Sequence, residues 1–215
     1  GCQSGLKPMV FAMPSAATSE STHMRKWFLV AALVLVACGN DKSQQPLSGM
    51  VMSPPLAVGT LSLPDGSGAA DFTFKAAPGH LLLSFFGYTN CPDVCPTTLG
   101  ELAAVKRELG AEGAKVQGIF ITVDPQRDTA EMLQAYVDSF DSGFVALRGT
   151  QEQLEATARD FKVIFSKVAG KTPTSYTMEH TAASFVYDPQ GHIRLYARYG
   201  MGAQALADDL KLLLS

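Results

Sequence analysis

The chain has 215 residues, a length that suits one domain with additional segments rather than two full domains. Hydrophobic residues make up 47%, enough to build a core, which argues against wholesale disorder. The net charge of -3 with no Lys/Arg run argues against a nucleic-acid surface.

Residues 1–23 are polar and rich in small residues, without periodicity. They are set aside, with Cys2, as an upstream or artefactual segment. Residues 24–38 read MRKWFLVAALVLVAC. Arg25 and Lys26 give a short positive region after Met24, and Trp27 to Ala37 is apolar. That run is too short for a bilayer core, which needs roughly 20 residues, and has the length of a signal-peptide core. Leu35-Val36-Ala37-Cys38 resembles a bacterial lipoprotein signal. The expectation is a signal peptide over 24–37 and lipidation of Cys38. The mature chain would then lie outside the cytoplasm, in the periplasm, on a lipid anchor in a bacterial membrane. Removing residues 1–38 takes away Lys7, Arg25, Lys26 and Glu20, leaving 14 basic against 19 acidic groups. With Cys38 acylated, the remaining free thiols are Cys91 and Cys95. In an oxidising compartment such a pair is a disulfide, a metal site or a redox couple.

Gly39 to Pro55 contains Pro, Ser and Gly and reads as a tether following the lipidated Cys38, so the domain is expected over 56–215. TLSLPDGSGAADFTF predicts two short strands around a Gly-rich turn, an N-terminal hairpin. His80–Thr89 is a nearly continuous apolar run, as in a strand buried on both faces. GYTNCPDVCPTTLGEL follows and leads into a helix to about Leu109. Leu99, Leu102, Val105 and Leu109 recur at helical spacing, and Gly110 stops it. Thr98 and Glu101 have capping-box spacing, but Pro96 suits a first helical position, which moves the start to Cys95 or earlier.

Lys115–Asp124 predicts a second buried strand. Asp128 and Glu131 have the spacing to open a helix with Met132, Leu133, Tyr136, Val137 and Phe140 in its apolar stripe. FVALRG is a short strand. Thr150 and Gln153 open a third helix, with Leu154, Ala158 and Phe161 inward. Ser166 to Glu179 reads as irregular. TAASFVYDPQGHIRLYARYG predicts a hairpin around Asp188-Pro189-Gln190-Gly191. Leu206, Leu210 and Leu213 lie on a closing helix. The order implies an α/β fold with a mixed central sheet flanked by helices.

A strand leading through two cysteines into a helix presents them to unsatisfied N–H groups and a positive dipole end. Both features favour a thiolate, the form that attacks disulfides and binds soft metals. Thioredoxin-like enzymes space the pair by two residues, whereas here three intervene. On a helix that spacing puts the Cβ atoms about 6 Å apart, wide for a disulfide and suitable for two thiolates on one ion. The mature chain has three histidines. His80 opens the first buried strand, far from the loop at its exit. His192 follows the hairpin turn and reads as solvated. His180 stands at the entrance of a late apolar strand, which in a thioredoxin-like sheet passes beside the cysteine loop.

GYTNCPDVCP, ITVDPQRDT about 30 residues later, and then MEHTAASFVYDPQG together resemble the Sco/SenC family of copper-binding, membrane-tethered thioredoxin-like proteins. The resemblance covers roughly Leu56 to Ser215. It implies maturation of the copper site of cytochrome c oxidase, with copper on Cys91, Cys95 and His180, and a role for Asp124 in ordering the metal loop. The expected partners are the copper-receiving oxidase subunit and a periplasmic copper donor or thiol reductant. Two thiolates and an imidazole suit Cu(I) and also hold Cu(II). Zinc would want a fourth ligand. Asp93 is a candidate whose simpler role is helix capping, and Met178 is more simply a core residue than a ligand. Arg127 reads as a turn residue with a local salt bridge.

Two other functions compete with a metallochaperone. One is a thiol–disulfide oxidoreductase using Cys91 and Cys95 as its redox pair. The other is a peroxidase with one cysteine attacking peroxide. The three-residue spacing and the histidine where thioredoxins carry a cis-proline both favour the metallochaperone. The peroxidase also needs an arginine that the pattern does not place.

Overall fold

The computed structural model describes residues 46–58, 62–64 and 71–215. Residues 1–23, the expected signal at 24–37 and Cys38 lie outside the described residues. In chain order the strands and helices are β1 (Met50–Ala57), β2 (Ser62–Pro64), β3 (Asp71–Thr73), β4 (Leu81–Gly87), α1 (Val94–Glu108), β5 (Val116–Thr122), α2 (Ala130–Asp138), β6 (Val145–Leu147), α3 (Gln151–Phe161), β7 (Phe165–Ala169), β8 (Tyr176–His180), β9 (Ala183–Tyr187), β10 (His192–Arg198) and α4 (Ala203–Leu214). The main sheet has the order β1-β10-β9-β4-β5-β6, while β2–β3 and β7–β8 are separate two-stranded sheets.

The sheet is mixed, as the alternation of elements predicts. β4 runs parallel to β5 and antiparallel to β9, so both its edges are paired. Every residue of β4 is buried, which explains its nearly unbroken apolar sequence. Its polar residue, Ser84, is hydrogen-bonded to the Tyr187 hydroxyl. Successive side chains of β4 point to opposite faces. On one face Phe86 meets Phe161 of α3, which also packs edge-on against Phe185 and Tyr187. On the other, Gly87 faces Cys95 of α1, and α1 packs in turn against α4.

Local signals account for most boundaries. Thr150 and Gln153 form a complete capping box at α3. The Asp188 carboxylate accepts from the Gln190 and His192 N–H groups, fixing the β9–β10 turn. The predicted hairpin over TLSLPDGSGAADFTF is β2–β3, with its turn outside the described residues.

Residues 50–55, read as part of the tether, belong to edge strand β1, paired with β10. Its Pro54 and Pro55 coincide with an interruption of the register between Val51 and Leu56, which an edge strand tolerates. Ser166–Glu179 is largely hairpin, since β7 and β8 pair from Phe165↔His180 to Ala169↔Tyr176. β7 is almost wholly exposed, and β8 alternates over only five residues, too few to mark a strand. The α2 cap is Thr129, whose side chain accepts from the Met132 N–H, rather than Asp128. Met132, placed in the stripe of α2, is 44% exposed because only Leu133 and Val137 are fully buried there.

The N-terminal entry is fixed by Asp209 of α4. This buried carboxylate accepts from the Ser48 N–H at 2.8 and 3.0 Å and from the Gly49 N–H at 2.8 Å. Asp209→Ala strands both donors. It is expected to lower the unfolding free energy in urea by about 1–3 kcal/mol, and an unchanged midpoint and slope would contradict this role.

Candidate metal centre

Parallel strands β4 and β5 end side by side, and their exit loops form the floor of the site, the usual location of ligands in parallel sheets. The β4 exit carries Cys91 and Cys95. Cys91 is partly exposed in the loop, Cys95 is fully buried in the first turn of α1, and both thiols are free. The Cys91 N–H donates to the Tyr88 carbonyl at 3.2 Å. The Cys95 N–H donates to Cys91 Sγ at 3.3 Å, so that sulfur does the capping work expected of Asp93. Asp93 occupies the N-cap position but makes no side-chain cap bond. Its backbone, at φ -145° and ψ -67°, lies outside the usual β-region geometry.

Antiparallel strand β9 begins where β4 ends, with Ser184 beside Phe85. His180 lies just before β9 and is therefore delivered to the cysteine loop. Its Nε2 is 3.5 Å from Cys95 Sγ. Its Nδ1 is 3.2 Å from the Thr181 carbonyl oxygen. A carbonyl only accepts, so Nδ1 carries the proton and Nε2 presents its lone pair to the thiol. The ring packs edge-on against Phe85 and Tyr88 at 5.6 and 6.1 Å. Burial lowers the His180 pKa, opposed in part by the Thr181 bond, which favours the neutral ring that can ligate. Burial pushes the Cys95 thiol well up, reinforced by its hydrogen bond with Cys91. Metal-free Cys95 therefore keeps its proton, and a bound cation must displace it.

The donor atoms of Cys91, Cys95 and His180 all lie within 4.8 Å of one another. Asp93 is not part of this group, and Met178 packs partly buried against the core. His80 is bonded through Nδ1 to the Pro78 carbonyl before β4, and His192 lies 3.7 Å from Asp188. Gly87 is the close-approach residue. A Cβ there would meet both Cys95 Sγ and Phe120 Cε2 at 2.8 Å.

The β5 exit loop, 123–129, braces the site. Buried Asp128 accepts from Thr89 Oγ1 at 2.5 Å, from the Thr89 N–H at 3.2 Å and from Thr122 Oγ1 at 2.5 Å. It thereby ties the cysteine loop to the end of β5. Arg148 donates to the carbonyls of Asp128 and Pro125 at 2.9 and 2.8 Å and pins the loop from outside. Ordering of the cysteine loop was expected of Asp124, but Asp128 performs it. Asp124 instead accepts from the Tyr176 hydroxyl at 2.9 Å and pairs with Arg127. Asp128 was read as a helix cap, a role that Thr129 takes in the structure.

Two cysteine sulfurs and an imidazole converging at the mouth of a thioredoxin-like sheet are a soft donor set for a transition metal. The family model described as SCO1/SenC matches residues 56–215. The chain belongs to the SCO1/SenC family. Among SCO relatives, an SCO2-like protein of Rickettsia typhi is 30% identical over 187 residues, covering 85% of this chain and 92% of the relative. The mitochondrial SCO2 homolog of Bos taurus is 32% identical over 174 residues, covering 78% of this chain and 64% of the relative. The structure of Bradyrhizobium japonicum ScoI with copper bound is 38% identical, with a TM-score of 0.64 over 72% of this chain and 98% of that one. Yeast Sco1 with copper bound is 27% identical, with a TM-score of 0.63 over 77% and 87% of the two chains.

In this SCO1/SenC chain, Gly87→Ala must displace the Cys95 sulfur or the Phe120 ring. The expected loss of stability to denaturant is about 1–3 kcal/mol, the usual range for overpacking. A variant as stable as the parent would contradict the close approach.

Proposed function

We propose that the chain is a copper metallochaperone that serves maturation of the copper site of cytochrome c oxidase, with Cys91, Cys95 and His180 as the copper ligands. The observation that carries this reading is the convergence of two thiols and one neutral imidazole within 4.8 Å, in a family with solved members that hold copper. Copper is cargo here. Two thiolates and an imidazole bind Cu(I) in trigonal geometry and also accommodate Cu(II). Cys91 and Cys95 must be reduced to take it, so a thiol redox step belongs to the cycle.

The lipoprotein-like segment ending at Cys38 supports lipid anchoring of the chain outside the cytoplasm, in the periplasm. Its partners are then the copper-receiving oxidase subunit and a periplasmic copper donor or thiol reductant. An oxidoreductase built on the same cysteine pair is disfavoured by the three residues between Cys91 and Cys95 and by His180 where thioredoxins carry a cis-proline.

Titration of the purified, reduced chain with copper tests the proposal. One copper per chain is expected. Cys91→Ser, Cys95→Ser and His180→Ala should each weaken binding by more than about tenfold, since even an outer-sphere partner of a metal is worth that much. Parent-like affinity in a folded His180→Ala variant would refute the ligand set. Vigorous catalytic reduction of insulin, unchanged in that variant, would favour the oxidoreductase instead.

A further inference from the structure

Strands β7 and β8 make a sheet of two strands outside the main sheet. A hairpin of that size is marginal on its own. At its base the Thr181 N–H donates to the Ile164 carbonyl at 2.9 Å, and the Ile164 N–H donates to Thr181 Oγ1 at 3.0 Å. These bonds close the hairpin upon itself but do not aim it at the cysteine loop. Yet β8 ends on His180. Tyr176, Met178 and His180 alternate with exposed Thr177 and Glu179 and so share the inward face.

Arg127 grips that face. Its Nε is paired with the Asp124 carboxylate, while its Nη1 donates to the Tyr176 carbonyl at 3.0 Å, 49 residues away. The guanidinium lies 3.6 Å from the centroid of the Tyr176 ring and 5.7 Å from that of Tyr88. The Tyr176 hydroxyl donates to the other oxygen of Asp124, and Lys167 sits 3.6 Å from the same ring. Tyr176 is thus held by its backbone, its ring and its hydroxyl. Arg127 adopts this position although its Nη2 is buried without a hydrogen-bond partner among the described residues.

We infer that Arg127 is a positioning residue for the metal centre, latching the β7–β8 hairpin through Tyr176 so that the His180 imidazole stays against Cys95. Its functional meaning rests on the copper reading above, while the contacts themselves involve no metal. The Asp124 ion pair alone is not the latch. A lysine at 127 retains the charge but lacks the planar fork that bonds a carboxylate and a carbonyl together.

The test uses the full chain with Arg127→Lys and two readouts. Without metal, hydrogen exchange at the Tyr176–His180 amides should quicken by about tenfold or more while β4 and β5 are unchanged, a local opening. With Cu(II) bound, the electron paramagnetic resonance spectrum should shift to that of His180→Ala. Arg127→Lys should also add no further loss of affinity to that variant. Parent-like exchange in the hairpin, or additive losses, would overturn the inference. Tyr176→Phe removes only the Asp124 bond and should give the same effects at smaller size, so it serves if Arg127→Lys does not fold. Failure of the parent to bind copper would remove the function proposed above and leave the exchange result to decide the latch. Copper binding with unaltered hairpin exchange would remove the latch alone.

Discussion

The antiparallel pairing of β9 with β4 is the constraint from which the site follows. The register from Leu82↔Tyr187 to Phe85↔Ser184 brings the start of β9 to the end of β4. The cysteine loop leaves one strand there as the histidine segment enters the other, so residues 85 positions apart meet at 3.5 Å. The same register shelters Ser84 and the Phe86, Phe161, Phe185 and Tyr187 ring cluster, so slipping it would disrupt the core as well. Site and core therefore depend on one ladder.

A single loop, 123–129, supports both halves of the site. Asp128 fixes the cysteine side through Thr89, and Asp124 with Arg127 fixes the histidine side through Tyr176. These contacts leave Cys91 partly exposed and His180 half-buried, while Cys95 is closed off. That gradient suits an ion that enters and leaves from the Cys91 side. Burial keeps Cys95 protonated until a cation takes the proton's place, and it keeps His180 neutral and ready to ligate. In the proposed copper site, desolvation and geometry rather than a standing thiolate at Cys95 would prepare the ligands for metal.

The buried elements were legible in the sequence because their signals are local. The apolar run of β4, the capping box of α3 and the Asp188 turn are each written in a few adjacent residues. Strands β1 and β7–β8 were not legible, since β1 and β7 are mostly exposed and the alternation in β8 is carried by Tyr176 and Met178 alone, too short to read as a strand. The cysteine pair and His180 were singled out by chemistry and by their place along the fold. Their braces were missed because Asp128 reaches 39 residues to Thr89 and Arg127 reaches 49 to Tyr176. A capping-box spacing at Asp128 and a local ion pair at Arg127 describe sequence neighbours only, and such distances leave no trace in a pattern.

In the proposed function, two sulfurs and one imidazole nitrogen converge to hold copper. X-ray absorption at the copper edge of the reduced, copper-loaded chain measures that donor set directly. Two sulfur scatterers and one imidazole nitrogen per copper are expected, with the nitrogen contribution absent in His180→Ala. A copper ion bound by sulfur alone, or a parent spectrum that His180→Ala leaves unchanged, would contradict it.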